Sequence, residues 1–161
     1  MSVADHFMLC PESPSYVAWA RDSPAGPGRK VKRGDPVTSL VAGYYSVRTQ
    51  GITYRMHRVV YELVHGSCPA LIDHKDLDRS NNHPDNLRPA TVAANVWNCP
   101  ARVDSVSGVK GVWYDHKREA WVASITANKQ KYRKRSSDRA VVEAWLAAKR
   151  LELHGEFAHT G

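Results

Sequence analysis

Cysteine is scarce in this chain: Cys10, Cys68 and Cys99 stand far apart, with no CxxC pair. So odd and scattered a set outlines neither a disulfide framework nor a zinc site, and it suits a reducing compartment. Long apolar runs are lacking too, since no stretch approaches the roughly 20 apolar residues of a membrane span. The opening MSVADHFMLC carries Asp5 early and has no cationic segment before an apolar run, unlike a secretory leader. The expectation is a soluble, cytoplasmic protein with no membrane partner. Acidic residues are the minority charge, 16 Asp and Glu against 23 Lys and Arg, giving +7 and a pI near 9.5. That balance favours a polyanionic partner, nucleic acid being the commonest, although charge alone discriminates little. With 161 residues, 42% hydrophobic and 24% charged, the chain can fill one ordinary core or two small ones.

What is present concentrates in residues 72–98, IDHKDLDRSNNHPDNLRPATVAANVWN. Ile72 to His74 predicts a short strand, and Asp76 to Pro84 a polar loop rich in turn formers. Asn86 to Thr91 predicts a second strand with Leu87 inward and Pro89 at an edge or end. Thr91 can then cap a helix through Val92 to Trp97. On a regular strand Asp73 and His74 point to opposite faces, so a bend or bulge is needed if both serve one site. The carboxylate of Asp73 and the amide oxygen of Asn95 are hard donors suited to Mg²⁺. An imidazole, with an unperturbed pKa near 6.5, can accept a proton beside them.

These residues resemble the ββα-metal motif of the HNH endonucleases, in the HNN form of phage and intron-encoded homing enzymes. The likeness rests on Asp73-His74, Asn81-Asn82, the run Pro84 to Arg88, Thr91 and Asn95, with Asn95 where many HNH enzymes place a second metal-binding His. The resemblance implies a phosphodiesterase acting on double-stranded DNA, with no small-molecule substrate, in the bacterial host cytoplasm if the gene is a phage's. It further implies one Mg²⁺, or another divalent ion such as Mn²⁺, held by Asp73 and Asn95. His74 is then the general base, and Asn86 orients His74 or braces the loop. GYYSVRTQGITYRMHRVVYELVHG also resembles the segment preceding the motif in this family.

Ahead of the motif, residues 1–14 form an N-terminal segment and Tyr16 to Ala20 a short strand with Trp19 buried. Ser23 to Pro36, rich in Gly, Pro and cations, predicts an exposed loop in which Arg29, Lys30, Lys32 and Arg33 can meet phosphate. Val37 to Arg48 and Ile52 to Met56 predict a hairpin turning at Gly51. Met56, Val59, Val60, Leu63 and Val64 then recur at helical spacing up to a Gly66 stop. His57 and His65 at that helix suit surface or satisfied imidazoles better than metal ligands.

Beyond a linker at 101–106, Val109 to Asp115, Glu119 to Ala127 and Lys129 to Arg135 predict three strands. A helix capped by Ser137 or Asp138 follows, with Val141, Val142, Trp145, Leu146, Lys149 and Leu153 at helical spacing. A three-stranded antiparallel sheet packed by one helix is the economical arrangement. Together with SGVKGVWYD, the Trp121-Val122-Ala123 run and the Leu153 to Phe157 ending, it resembles the AP2-type DNA-binding domain. The run YRKRS at Tyr132 to Ser136 departs from that family's usual pattern. Carried over by position, the resemblance implies DNA contacts from Lys110, Trp113, Arg118, Trp121, Lys131 and Arg133. Trp113 and Trp121 serve equally well as core residues.

The expected fold is therefore α+β: an HNH nuclease domain at 15–100, an AP2-like domain at 107–157 and a tail at 158–161. The expected function is a homing-type endonuclease in which the second domain chooses the site. Two alternatives stand beside it, a DNA-binding protein without catalysis and a nuclease, of RNA or DNA, without sequence preference.

Overall fold

A computed structural model describes residues 2–26, 29–99, 101 and 105–157. The chain forms two compact units, Met1–Thr91 and Val92–Gly161. Both mix short antiparallel strands with few helices.

The first unit begins with β1 (Phe7–Leu9) paired to β2 (Val17–Trp19), Phe7 opposite Trp19. Both rings are buried, so the segment set apart as 1–14 contributes to this unit's core. The basic stretch is an antiparallel hairpin, β3 (Ser23–Gly26) and β4 (Arg29–Val31), where a loop was expected. Its tip, Pro27 and Gly28, lies outside the described residues, while Lys30, Lys32 and Arg33 are exposed. Val31 is buried, which is why this segment pairs as a strand despite its Gly and Pro.

The expected hairpin is two hairpins: β5 (Leu40–Val41), β6 (Tyr44–Thr49) and β7 (Ile52–Arg55). Each turn holds two residues with positive φ, Ala42 and Gly43 at 51° and 81°, then Gln50 and Gly51 at 50° and 79°. Such primed turns match strand twist in two-residue loops, so Ala42-Gly43 breaks what periodicity alone shows as one strand.

Helix α1 (Met56–His65) buries Met56, His57, Val59 and Val60. It stops at Gly66, left-handed at φ 77°, whose N–H donates to the Glu62 carbonyl at 2.8 Å. Two short strands, β8 (Ile72–His74) and β9 (Leu87–Pro89), then pair with Asp73 opposite Arg88 and His74 opposite Leu87.

The second unit contains α2 (Val92–Trp97), β10 (Val112–Asp115), β11 (Ala120–Ala127), β12 (Gln130–Ser136) and α3 (Arg139–His154). The unit boundary thus precedes α2, which differs from the division at residue 100 drawn on sequence. Pro100 and residues 102–104 around the expected linker, and the tail at 158–161, lie outside the described residues. The strands form one antiparallel sheet in sequence order. Val112, Ala123 and Ile125 pack against Val142 and Leu146 of α3, whose start is capped by the Asp138 side chain accepting from Ala140 N–H.

Gly111 enters this sheet at φ 80°, and a Cβ built on it would lie 2.6 Å from the Ser124 carbonyl oxygen. The close approach is structural, because Ser124 N–H donates to the Gly111 carbonyl at 2.8 Å. Gly111→Ala therefore meets both a backbone clash and an unfavourable φ. It should cost about 2 kcal/mol or more, read as a lower urea midpoint with unchanged m.

Candidate functional site

The geometry starts from the alternation of β8. Its pairing with β9 runs without a register shift, so no bulge brings Asp73 and His74 to one face. Asp73 is buried, and its Oδ2 accepts from Arg88 Nε at 2.9 Å and Nη2 at 2.8 Å. Arg88 is equally buried, so this is a desolvated ion pair across the ladder. Asp73, expected as a metal ligand, thus has its carboxylate tied to a cation one strand away.

His74 turns to the other face. Its Nε2 lies 3.5 Å from Asn82 Oδ1, and Asn82 Nδ2 in turn donates to the Ser15 carbonyl at 3.0 Å. Because the amide nitrogen is committed to Ser15, the oxygen faces the imidazole. Nε2 is then the ring atom placed to donate to Asn82. Burial pushes His74 below its ordinary pKa, against the raising effect of the Asn82 bond and of Asp76, Asp73 and Asp78. At neutral pH the ring is uncharged, as a proton acceptor must be.

Two further aromatic side chains complete this cluster. His57 meets His74 edge-on with centroids 5.2 Å apart, and Tyr44 lies 5.2 Å from His57 and 6.1 Å from His74. His57 is 6% exposed, and its Nδ1 has no hydrogen-bond partner among the described residues. Burial, followed by His74, Arg55 and Arg58, lowers its pKa to about 3. The expectation of a surface or satisfied imidazole is corrected here, because α1 turns this ring inward. The signal was available: His57 lies one turn before Val60 and so falls within the apolar stripe. His65 fits its expectation, exposed and tilted against Tyr61 with centroids 4.2 Å apart.

Asn86 acts on the loop. Its Nδ2 donates to Asp76 Oδ1 at 2.9 Å and to the Asn81 carbonyl at 2.8 Å, and its Oδ1 accepts from Asp76 N–H at 3.1 Å. Asn81 Nδ2 adds a bond to Asp76 Oδ2 at 2.7 Å. Partial burial pushes the Asp76 carboxyl up, but these bonds and the Asp78 N–H outweigh it and hold the pKa below the ordinary value. Of the two roles considered for Asn86, these contacts are those of a loop brace. Asn95 is exposed on α2, in the second unit, whereas Asp73 belongs to the first. Among the described residues no group of three or more His, Cys, Asp or Glu side chains is gathered for a metal.

In the second unit the register sorts the expected DNA contacts. Trp113 pairs with Val122, Ser124 with Arg133 and Thr126 with Lys131, so Trp113, Arg133 and Lys131 share the sheet face away from α3. The Arg133 guanidinium lies over the Trp113 ring, 5.8 Å from its centroid. Arg135, opposite Val122, joins that face and was not singled out on sequence. Trp121 packs on the core with α3, and Arg118 pairs with Asp115 at 3.1 Å. Lys110 Nζ donates to the Val96 and Cys99 carbonyls at 2.5 and 3.0 Å, which closes the end of α2. Burial lowers its pKa. Three of the six expected contacts thus face outward together, while Lys110, Trp121 and Arg118 have structural partners.

Two measurements follow from the buried groups. Arg88→Leu leaves Asp73 without its counter-ion and should cost roughly 3–5 kcal/mol in urea unfolding. His57 binds a proton in the unfolded chain near 6.5 but in the folded chain only near 3. Its contribution to stability is therefore complete above pH 6.5 and is lost as pH falls toward 3, by about 1.4 kcal/mol per pH unit. Urea midpoints between pH 7 and 4.5 should fall less steeply in His57→Gln than in the wild type.

The HNH endonuclease family matches residues 54–96, from the end of β7 through most of α2. Protein 3.8 of Escherichia phage T7 is 39% identical over 106 residues, covering 65% of this chain and 88% of that protein. No solved structure matches the chain. The match over 54–96 contains α1, the ion pair of β8 and β9, His74 and the braced loop, and the chain belongs to the family of phage T7 protein 3.8, with an HNH endonuclease domain at its centre.

Proposed function

We propose that the protein is a divalent-metal-dependent endonuclease that hydrolyses a phosphodiester of double-stranded DNA, with His74 as general base. The observation that carries this reading is the His74 ring itself, buried, uncharged at neutral pH and held through Asn82 by the Ser15 carbonyl inside the HNH segment. That chain of bonds holds the ring in one orientation, and the neutral imidazole takes the proton of the attacking water. Asn86 fixes the loop between β8 and β9 at Asp76, which holds Asn82 where it meets the ring.

The two residues expected to hold a divalent cation do not fit one as placed: Asp73 is buried against Arg88 on the face of β8 turned away from His74, and Asn95 belongs to the second unit, so no ligand set is assigned to the ion.

Site choice belongs, in this reading, to an AP2-type sheet in the second unit. Trp113, Lys131, Arg133 and Arg135 supply a flat aromatic and three cations on one open face. Guanidinium forks suit guanine edges and phosphates, and an exposed indole packs on sugar or base. A homing-type enzyme needs such a selector, which favours this reading over an enzyme without preference.

The test is nicking of supercoiled DNA by purified full-length protein with Mg²⁺ or Mn²⁺. Nicking should vanish with EDTA and return with the ion. His74→Ala should lower the rate by roughly 10²–10⁴-fold, and Asn82→Ala by about 10–100-fold. A folded His74→Ala protein nicking at the wild-type rate would overturn the proposal.

A further inference from the structure

Tyr44 stands beside the two imidazoles, and two guanidinium groups lie over its ring. The Arg55 carbon is 4.9 Å from the ring centroid and the Arg79 carbon 5.3 Å. The two come from distant segments. Arg55 ends β7 immediately before α1, and Arg79 lies in the loop after β8. The Arg79 stem runs past Gly43 of the turn before Tyr44, where a built Cβ would lie 3.7 Å from Arg79 Cδ, an ordinary van der Waals contact.

This arrangement is electrostatically unusual. The two cations are no more than ~10 Å apart, and among the described residues neither has a carboxylate partner or a hydrogen bond that would neutralise it. Two other arginines of the unit are committed, Arg88 to Asp73 and Arg58 to the Pro69 and Ala70 carbonyls. Stacking on Tyr44 offsets part of the repulsion. The ring holds the planar groups while leaving their N–H edges available to an anion. Both residues are exposed, and Tyr44 is half-buried.

The geometry points to a phosphate-binding shelf: Arg55 and Arg79, held over Tyr44, grip the DNA backbone at or next to the phosphodiester that His74 serves. This inference rests on the nuclease reading above. A DNA strand carries one charge per about 3.4 Å of axis, so forks within ~10 Å of each other can reach two nearby phosphates of one strand. Arginine suits the role better than lysine, because its fork pairs two oxygens of one phosphate. Tyr44 acts as a positioning residue, placing both forks beside the base.

The experiment uses the full chain and a fluorescein-labelled 30-base-pair duplex, with binding measured against salt, and nicking of supercoiled plasmid measured in parallel. If each guanidinium neutralises one phosphate, Arg55→Gln/Arg79→Gln should reduce the slope of log affinity against log salt by about 1.8, with a higher KM for nicking. Arg55→Lys/Arg79→Lys should keep most of the slope yet nick more slowly, since a point charge cannot fork. Tyr44→Phe should behave as wild type, and Tyr44→Leu should lose nicking while the charge count stays the same. Should the double Gln variant fail to fold, Arg79→Gln alone, in an exposed loop, should reduce the slope by about 0.9. An unchanged slope in a folded variant overturns the shelf whatever happens to nicking. Absence of nicking by the wild type with any divalent ion, together with a reduced slope, keeps the shelf as a DNA contact and overturns the nuclease reading instead.

Discussion

The buried pair of Asp73 and Arg88 is the constraint on which the first unit's site depends. The ladder between β8 and β9 has only three residue pairs, which by hydrogen bonding alone is a weak specification of register. A slip of one residue would exchange the two faces of β8, turning Asp73 toward His57 and Tyr44 and His74 away from them. In the observed register a desolvated carboxylate meets its guanidinium directly across the ladder. In the slipped register both charges would be buried unpaired, at several kcal/mol each. The ion pair thus acts as a registry device, and the placement of the imidazole follows from it.

The same logic extends along the polar loop. A dozen residues between two short strands would be costly to order if each were held only by solvent. Here Asp76 gathers the side chains of Asn81 and Asn86, and Asp78 accepts from the Ser80 hydroxyl and N–H. The loop's polar density, which makes the stretch conspicuous in sequence, is therefore mostly internal wiring. Asn82 is the exception. Neighbouring Asn81 turns to Asp76, whereas Asn82 is buried and reaches across to Ser15 and His74. Of two adjacent asparagines one builds the loop and the other meets the His74 imidazole.

That division shows what sequence could and could not convey. Helical spacing and terminal Gly66 marked α1, and alternation marked β11, because both are local patterns tied to one buried face. The strand-loop-strand-helix order of residues 72–98 was legible for the same reason. Ser23 to Pro36 misled because Gly and Pro advertise a loop, while the burial of Val31 that favours pairing is tertiary. Ala42-Gly43 was missed because a positive φ at Ala has no composition signal. The faces of Trp113 and Trp121 depend on the register of β10 with β11, so parity alone left them equivalent. His57 and Asn82 became site residues only once α1, Ser15 and β8 were brought together in space.

Net charge is the feature most easily overread, and the placement of individual cations shows why. Arg88 neutralises Asp73, Arg150 is buried and donates to the Lys110 carbonyl, and Lys110 itself closes α2. Arg58 binds two carbonyls and Arg139 pairs with Glu143. These groups contribute to an excess of +7 and would release no counter-ions to DNA. What distinguishes a polyanion contact is a cation that the fold exposes, orients and leaves without an acid. Trp113 holds Arg133 in that way on the sheet of the second unit, and Tyr44 holds Arg55 and Arg79 in the first. An aromatic ring under a guanidinium costs the cation little of its charge while removing much of its freedom, so each fork stays both charged and oriented.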